Sequence, residues 1–265
     1  MARTALITGA SAGIGKAFAE NLARRGFNLV LTARRVDRLD ALAAELRSKH
    51  GVEVTVFSAD LAEVDACDRL FAELNKAALA VDILVNNAGY GVPGKFLKPD
   101  WATHEAFMRV LVESVLKMSY LLLPQMVERG YGRIINVASL AGLVPGSAGH
   151  TLYSASKAFL IRFSESLHAE YAAQGVNTCA LCPGFTYSEF HDVTGTRATV
   201  SKMSKRMWMS AQDVVEEGID AVQSGQPVHV AGRTNRAIAA LMRLLPPAAA
   251  RSLINRRARD YRDNT

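Results

Sequence analysis

The sequence lacks the features that mark membrane-spanning and secreted proteins. No apolar run approaches the roughly 20 residues that a membrane-spanning helix needs, and the run at residues 121–123 ends at Pro124. The chain does not open with a basic segment, an apolar stretch and a small-residue cleavage site, so we expect no signal peptide. Internal repeats, low-complexity segments and nucleic-acid-binding motifs are also absent. These absences favour a soluble protein of the cytoplasm.

Cysteine is scarce, and the three cysteines, Cys67, Cys179 and Cys182, do not form a metal-site pattern. Cys179 and Cys182 have C-x-x-C spacing, but they lie in a strand-like run, where residues three apart point to opposite faces. A zinc site needs a second pair, and a redox C-x-x-C motif normally opens a helix. We therefore interpret this pair as packing residues and expect no bound metal.

Neither sign of charge is in excess over most of the chain. Residues 1–232 hold 23 basic and 23 acidic side chains, whereas residues 233–265 hold eight arginines against Asp260 and Asp263. The net charge of +6 therefore belongs to the C-terminal tail. Apolar residues recur in the tail at helical spacing, which predicts helices that dock on the main domain or on a second subunit. Contact with an anionic membrane surface is the alternative.

The sequence does contain a regular alternation of short apolar runs and helical segments. At 265 residues, 49% of them hydrophobic, the chain suits one large domain. The alternation predicts an α/β fold, a doubly wound parallel sheet of seven strands. We assign residues 1–232 to this domain and residues 233–265 to a basic helical extension.

The rest of the chain is arranged around a glycine-rich turn at residues 8–15, Thr-Gly-Ala-Ser-Ala-Gly-Ile-Gly. A strand-like run precedes the turn and a helical segment follows it. Glycine lacks a Cβ, so the backbone can approach a ligand closely, and the N-terminus of a helix favours an anion. This context predicts a phosphate cradle in a βαβ unit, with simple packing as the alternative. Ala17 follows Gly15-Lys16, so the turn is not a Walker A loop.

Other unusual residues fall where the predicted strands end. They are the arginines after Ala33, Asp60, the Asn-Asn-Ala-Gly segment at residues 86–89, Ser139 and Pro183-Gly184. Ligands of open parallel sheets bind beyond the carboxyl ends of the strands. We therefore expect these residues to form one site.

The chain resembles the short-chain dehydrogenase/reductase family over about residues 3–232. Five features have the order and spacing of that family, namely the glycine-rich turn at residues 8–15, the Asn-Asn-Ala-Gly segment at residues 86–89, Ser139, Tyr153-Ser-Ala-Ser-Lys157 and Pro183-Gly184. The resemblance implies a single Rossmann-type domain and the nicotinamide-dependent interconversion of carbonyls and alcohols. It implies that Tyr153 is the acid/base, that Lys157 tunes it and holds the nicotinamide ribose, and that Ser139 bonds the substrate oxygen. The residues expected to bind the cofactor are Gly9, Ser11, Gly13, Ile14, Gly15, Arg34, Arg35, Asp60, Leu61, Asn87, Ala88, Gly89, Tyr153, Lys157, Pro183, Gly184 and Thr186.

Tyr153 and Lys157 lie four residues apart in a helical segment, so they share a face. A free tyrosine has a pKa near ~10, too high for ready proton exchange near neutral pH. A neighbouring ammonium favours the phenolate and should lower that pKa. The alternative interpretation is that Tyr153 and Lys157 are an ordinary surface pair near the start of a helix.

The cofactor expected is NADP(H). Ala33 stands where an NAD enzyme would place an Asp for the ribose 2′-hydroxyl, and Arg34 and Arg35 suit a 2′-phosphate. A solvated basic loop is the alternative for the arginines. By resemblance Asp60 accepts from the adenine amino group, and the alternative is that it caps the next helix.

The sequence predicts the chemical class of the substrate but not its identity. Met203, Met207, Trp208 and Met209 make the expected lid apolar, which favours an apolar or aromatic carbonyl compound. Methionines at such spacing also occur as ordinary core residues. His150, beside the active-site loop, is either a substrate contact or an ordinary loop residue.

One position departs from the family pattern. Members usually carry an Asn in the long helix before the fifth strand, where it holds a water next to the catalytic Lys. The corresponding residue here is Leu111. Because leucine neither donates nor accepts a hydrogen bond, proton delivery would be weaker or rerouted, with Ser114 or Glu113 as nearby groups.

The sequence thus supports two functions of different classes. The main hypothesis is an NADP(H)-dependent oxidoreductase that forms a homodimer or homotetramer. The alternative, which Leu111 keeps open, is a nicotinamide-binding regulatory or scaffold protein with little turnover.

Overall fold

We describe residues 2–149, 151–189 and 204–259 of a computed structural model of the chain. His150 and Met203, both named above for the substrate side, lie outside the described residues.

The centre of the fold is a seven-stranded parallel sheet, as the sequence predicts. Its strands are β1 Thr4–Thr8, β2 Asn28–Ala33, β3 Val54–Ser58, β4 Ile83–Asn86, β5 Gly132–Val137, β6 Val176–Cys182 and β9 Val228–Val230. Their order across the sheet is β3-β2-β1-β4-β5-β6-β9. The order reverses between β1 and β4, which places a crevice for a ligand at the carboxyl edge there.

Helices cover both faces of the sheet. They are α1 Gly13–Arg24, α2 Val36–His50, α3 Ala66–Lys76, α4 Trp101–Met108, α5 Ser114–Glu128, α6 Thr151–Tyr171, α7 Ala211–Gln223, α8 Arg233–Leu244 and α9 Pro247–Arg259. Helices α1, α2 and α7 share one core with alternate strand residues such as Ala5 and Ile7. Leu6 points the other way, into a second core with α3, α5 and α6. The continuous apolar runs are therefore strands buried on both faces.

The long helix expected before the fifth strand is interrupted. A π-helical turn at Arg109–Glu113 joins α4 to α5. Such single turns add a residue to the helical repeat and often occur at functional sites. Leu111 lies in the middle of this turn and is buried, so the departure from the family pattern coincides with a departure from regular helix.

The stretch at residues 185–209, which looks irregular in the sequence, contains two short strands. β7 Phe185–Thr186 pairs in parallel with β8 Trp208–Met209. Trp208 stacks on Phe185 and Tyr187, with ring centroids 5.5 and 4.8 Å apart. Strands this short carry no periodicity in the sequence, so only the folded chain reveals their pairing.

The first tail helix, α8, packs on the body of the protein. Asn235 is buried and donates from Nδ2 to the Ala231 carbonyl at 2.7 Å. Arg236 Nη1 lies 2.9 Å from a Glu217 carboxylate oxygen on α7. A Cβ placed on Gly184 would lie 2.5 Å from Asn235 Oδ1, so α8 reaches the loop after β6. The division of the chain at residue 232 stays a prediction.

The three cysteines are free and buried, and burial raises the pKa of the Cys67 thiol to about 11. No helix among the described residues has both the length and the apolar character that crossing a bilayer requires.

We expect Gly15→Ala to destabilise the fold. A Cβ at residue 15 would lie 2.3 Å from the Gly9 carbonyl oxygen and 2.5 Å from Asn87 Nδ2, and the backbone atom cannot move away cheaply. The free energy of unfolding in urea should fall by about 1–3 kcal/mol, as overpacking typically costs.

Gly146→Ala is the matched control, because a Cβ there meets only Ser154 Oγ, at 4.0 Å. Equal stability of the two variants would show that the turn adapts to a side chain.

Candidate active site

The predicted site residues gather at the carboxyl edge of the sheet. They follow the ends of β1 to β6 or lie in α1, α6 and β7. Asn87 joins two of these segments, since its side chain donates to the carbonyls of Thr8 at 2.9 Å and Gly9 at 3.2 Å. In return, the Thr8 hydroxyl accepts from the backbone N–H groups of Asn87 and Ala88, each at 3.0 Å. The glycine turn and the Asn-Asn-Ala-Gly segment therefore form one rigid unit.

The helical end of the glycine turn has a geometry that suits an anion. Helix α1 begins after Ala12, which has no side chain able to cap the first N–H groups. Those N–H groups and the positive end of the helix dipole suit a phosphate. Gly13 has φ +55°, a conformation that other residues rarely adopt. The residues present thus fit a dinucleotide. Gly9 and Gly15 also serve packing, because a Cβ on either residue would collide with neighbouring protein atoms.

The arginines after β2 face the same turn. Arg35 donates from Nε and Nη2 to the Ser11 hydroxyl, at 3.2 and 3.0 Å. Arg34 lies farther along the edge, 3.9 Å from the Asp60 carboxylate. Together with Ser11 they present the donors that a ribose 2′-phosphate would need.

Asp60 does not cap the next helix. Its carboxylate accepts from the backbone N–H of Ala62 at 3.0 Å, whereas the residue that precedes α3 is Asp65. The side chain is partly exposed beside Arg34, and Leu61 next to it is buried in the core. Asp60 is therefore free of the helix-capping role that the sequence left open.

The three proposed catalytic residues come from two elements. Ser139 follows β5 with an extended backbone, and its Oγ accepts from the Ala141 N–H at 3.1 Å. Tyr153 lies in the first turn of α6, and its hydroxyl hydrogen-bonds Ser139. Lys157 lies one turn later, with its Nζ 5.7 Å from the centre of the Tyr153 ring. The structure thus brings all three together.

Lys157 is held by the sheet. It is 6% exposed, and its Nζ donates to the Val137 carbonyl at the end of β5, at 2.7 Å. Burial lowers the pKa of its ammonium to about 8. Gly142 lets the loop lie directly on this part of α6, since a Cβ there would be 2.7 Å from the Lys157 carbonyl carbon.

The expected effect of Lys157 on Tyr153 is not what the structure gives. We expected the ammonium to lower the pKa of the phenol, but burial raises that pKa, and only the hydrogen bond from Ser139 acts to lower it. The physical reason is that Lys157 directs its charge at the Val137 carbonyl and is itself desolvated. Tyr153 is consequently poised as a protonated donor.

A buried amide network below the site was not predicted from the sequence. Asn86 donates to Asn136 at 2.9 Å, and Asn136 donates to the Ser164 hydroxyl on α6 at 2.9 Å. Asn136 and Ser164 have no exposed surface. The network ties β4, β5 and α6 together, and it thereby fixes Tyr153 and Lys157 relative to Ser139. Polar residues in otherwise apolar strands are the signal that could have revealed it.

Leu111 contacts the Asn-Asn-Ala-Gly segment. Its Cγ lies 3.6 Å from the place that a Cβ on Gly89 would take. Ser114, considered above for proton transfer, donates to the Val110 carbonyl at 2.7 Å. Glu113 lies 3.9 Å from Arg109. Both polar groups are therefore engaged within their own helix.

The segment after β6 approaches the nicotinamide side. Thr186 is buried, and its hydroxyl donates to the Gly184 carbonyl at 3.2 Å. Next to Tyr153 a small cavity is lined mainly by apolar residues, namely Val92, Phe96, Pro99, Phe107 and Leu152. Met209 instead packs against the main core and against Gly232, so for this methionine the packing interpretation holds.

Two charged residues of the site were missed. Arg38, in the first turn of α2, and Glu189, after β7, form an ion pair at 2.8 Å. The spacing of Arg35 and Arg38, three residues apart at a helix start, is the signal that places both guanidiniums on one side. Nothing in the sequence indicates Glu189.

Comparison with known proteins agrees with this geometry. The family model described as short chain dehydrogenase matches residues 3–198. A very-long-chain 3-oxoacyl-CoA reductase of Anas platyrhynchos is 40% identical over 72% of this chain and 62% of its own length. The Bos taurus protein of the same name is 37% identical over 85% of this chain and 72% of its own. This chain thus spans about two thirds of these relatives.

A solved structure, a short-chain dehydrogenase from Sphingobium yanoikuyae in complex with NADPH, has a TM-score of 0.80 and 31% identity. The match covers 92% of this chain and 96% of that one.

Tyr153→Phe should abolish oxidoreductase turnover and leave cofactor binding nearly unchanged, because only the proton donor is lost. We expect kcat to fall by at least about 100-fold, the usual worth of a positioned acid. The Kd of NADPH, measured by its fluorescence, should stay within about twofold of the wild-type value. The binding free energy then changes by much less than the ~1.4 kcal/mol of a tenfold change in Kd. Tyr120→Phe, on the exposed surface of α5, is the control. A Tyr153 variant that keeps more than a tenth of the rate would mean that another group donates the proton.

Leu111→Asn tests whether the missing amide limits proton delivery. If it does, the variant turns over about threefold faster or more, and its solvent isotope effect changes more than that of Leu111→Ala. Leu111→Ala leaves the same space without an amide and serves as the control. An Asn variant no faster than the wild type, folded and with an unchanged isotope effect, would rule the limitation out.

Proposed function

The chain belongs to the short-chain dehydrogenase family, and from this premise we propose that it reduces the carbonyl group of an apolar substrate with NADPH. It is an oxidoreductase that acts on CH–OH and C=O groups. The observation that carries the proposal is the constellation of Ser139, hydrogen-bonded to Tyr153, with buried Lys157 one turn along α6.

The chain's own residues supply the proton and hold the oxygen. When bound, NADPH supplies the hydride. Ser139 donates to the substrate oxygen and stabilises the charge that develops there. Tyr153 gives its proton to that oxygen, and its raised pKa keeps the phenol protonated at neutral pH, which suits the direction of reduction. Lys157, with a pKa of about 8, gains and loses a proton near physiological pH, so it can restore the proton on Tyr153.

NADP(H) is supported by the charges around the adenine end. Ala33 offers no carboxylate for a 2′-hydroxyl, while Ser11, Arg34 and Arg35 present donors on the same side of the glycine turn. A 2′-phosphate is bound well by such a set, because guanidinium groups match its oxygens.

The substrate class is supported by the apolar cavity beside Tyr153 and by the relatives. Phe96, Phe107 and Leu152 line that cavity, and the two relatives are named for the reduction of very-long-chain 3-oxoacyl-CoA. We therefore place a 3-oxoacyl thioester with an apolar chain first among the substrates to test. The cytoplasmic location and the homo-oligomer stay predictions.

A regulatory or scaffold role with little turnover remains the second candidate, because Leu111 fills the place of the family's Asn with a buried apolar side chain. The two candidates differ in one measurable property. Both bind the cofactor, but only the enzyme consumes it.

The test measures NADPH consumption against 3-oxoacyl thioesters, aromatic ketones, aldehydes, quinones and a sugar ketose as the polar control. We expect apolar carbonyls to be reduced with NADPH at least about tenfold better than with NADH, a difference of about 1.4 kcal/mol. The double variant Ala33→Asp, Arg34→Ala should lose that preference. NADPH binding without turnover of any carbonyl would favour the scaffold role, and equal or tighter NADH binding by the wild type would contradict the NADPH assignment.

A further inference from the structure

The carboxylate of Glu189 lies between two arginines beside the cofactor site, Arg35 and Arg38. Glu189 approaches Arg35 Nη1 at 3.1 Å and Arg38 Nη1 at 2.8 and 3.0 Å. The remaining nitrogens of the Arg35 guanidinium donate to the Ser11 hydroxyl. Ser11 belongs to the glycine turn, so the carboxylate lies against the phosphate-binding unit itself.

The carboxylate of Glu189 has the chemistry of the ligand expected there. A carboxylate and a phosphate bind guanidinium groups with the same oxygen-to-nitrogen hydrogen bonds, so they compete for the same donors. The pKa of Glu189 is lowered by its bonds to Arg38 and Arg35, which keeps the side chain ionised at neutral pH. Glu189 is thus an anion that the protein carries within its own arginine cluster.

Arg34 differs from its two neighbours. Its only close carboxylate in the described part of the chain is Asp60, at 3.9 Å, and the Arg34 side chain is 70% exposed. An incoming phosphate can therefore reach Arg34 first. The Arg35 and Arg38 nitrogens that contact Glu189 become available only when its carboxylate moves away.

Glu189 is also linked to the nicotinamide side by a short stretch of backbone. It follows Thr186 by three residues, and Thr186 is anchored to Gly184 and to β8. Ser188, between them, packs on Gly13, where a Cβ would lie 3.0 Å from the Ser188 Cβ. The segment from Gly184 to Glu189 thus runs along the turn that would hold the cofactor.

We propose that Glu189 is a specificity-determining residue, an internal anion that the 2′-phosphate of NADPH displaces from Arg35 and Arg38. The inference rests on the NADPH dependence proposed above and goes beyond it. Displacement opposes binding of the phosphorylated cofactor and leaves NADH unaffected, because NADH has no group for these arginines. Glu189 therefore reduces the preference for NADPH below the level that the arginines alone would give.

Glu189→Gln tests this, because it removes the charge and keeps the shape. Kd values for NADPH and NADH are measured by fluorescence titration and calorimetry, without substrate. We expect Glu189→Gln to bind NADPH about three- to tenfold more tightly than the wild type, because two exposed ion pairs can reduce the affinity by about that factor. The Kd of NADH should change by less than about twofold. The gain for NADPH should shrink as salt is raised, since salt screens exposed charges.

Glu165→Gln is the matched control. It makes the same change in net charge and breaks an exposed ion pair with Arg162, 2.6 Å long, on α6. Its NADPH affinity should equal that of the wild type. Glu189→Ala, which removes the side chain, should repeat the gain of Glu189→Gln.

The outcomes separate this inference from the proposed function. A wild type that binds NADPH tightly, with Glu189→Gln and Glu189→Ala no tighter, would overturn the role of Glu189 alone. Equal tightening of NADPH and NADH, or the same gain in Glu165→Gln, would also overturn it, because the effect would then be one of net charge. A wild type that prefers NADH would instead overturn the proposed cofactor.

Discussion

The site depends on the hydrogen bonds that Thr8 and Asn87 exchange between the ends of β1 and β4. These two strands lie where the strand order reverses, so the helices that follow them pack on opposite faces of the sheet and leave a crevice at its carboxyl edge. The hydrogen bonds form the floor of that crevice and fix the position of the glycine turn relative to the Asn-Asn-Ala-Gly segment. Gly9 and Gly15 belong to the same constraint, because a side chain on either would collide with the Asn-Asn-Ala-Gly segment or with the turn itself.

A second polar constraint supports the reacting groups. The buried chain from Asn86 through Asn136 to Ser164 joins two strands to α6, and Lys157 adds a bond to the end of β5. Buried amides are costly unless they are paired, so the network favours one register of α6 on the sheet. That register brings Tyr153 to Ser139. Burial then has opposite effects on the two titrating groups, since it raises the pKa of the phenol and lowers that of the ammonium.

The part of the site expected to bind the adenine end of the cofactor is organised by exposed charged groups instead of buried ones. Arg34 contacts Asp60, Arg35 contacts Ser11 and Glu189, and Arg38 contacts Glu189. Each of these contacts is exposed to solvent. Such contacts are individually weak. They can be exchanged for a ligand at little cost, whereas the catalytic end is fixed by bonds that water cannot replace.

The sequence by itself determined the class of the fold, the seven parallel strands and the identity of the candidate site, because apolar periodicity and strand-end motifs are local patterns. It also located Leu111 as the exception. Only the tertiary structure decided the π-helical turn around Leu111, the β7–β8 pair, the amide network and the contact of Glu189 with two arginines that lie more than 150 residues earlier. It also decided the direction of the Tyr153 pKa, which the sequence predicted wrongly. The physical reason is common to these cases. Burial and the distance between charges depend on which segments meet, and no local pattern in the chain records that.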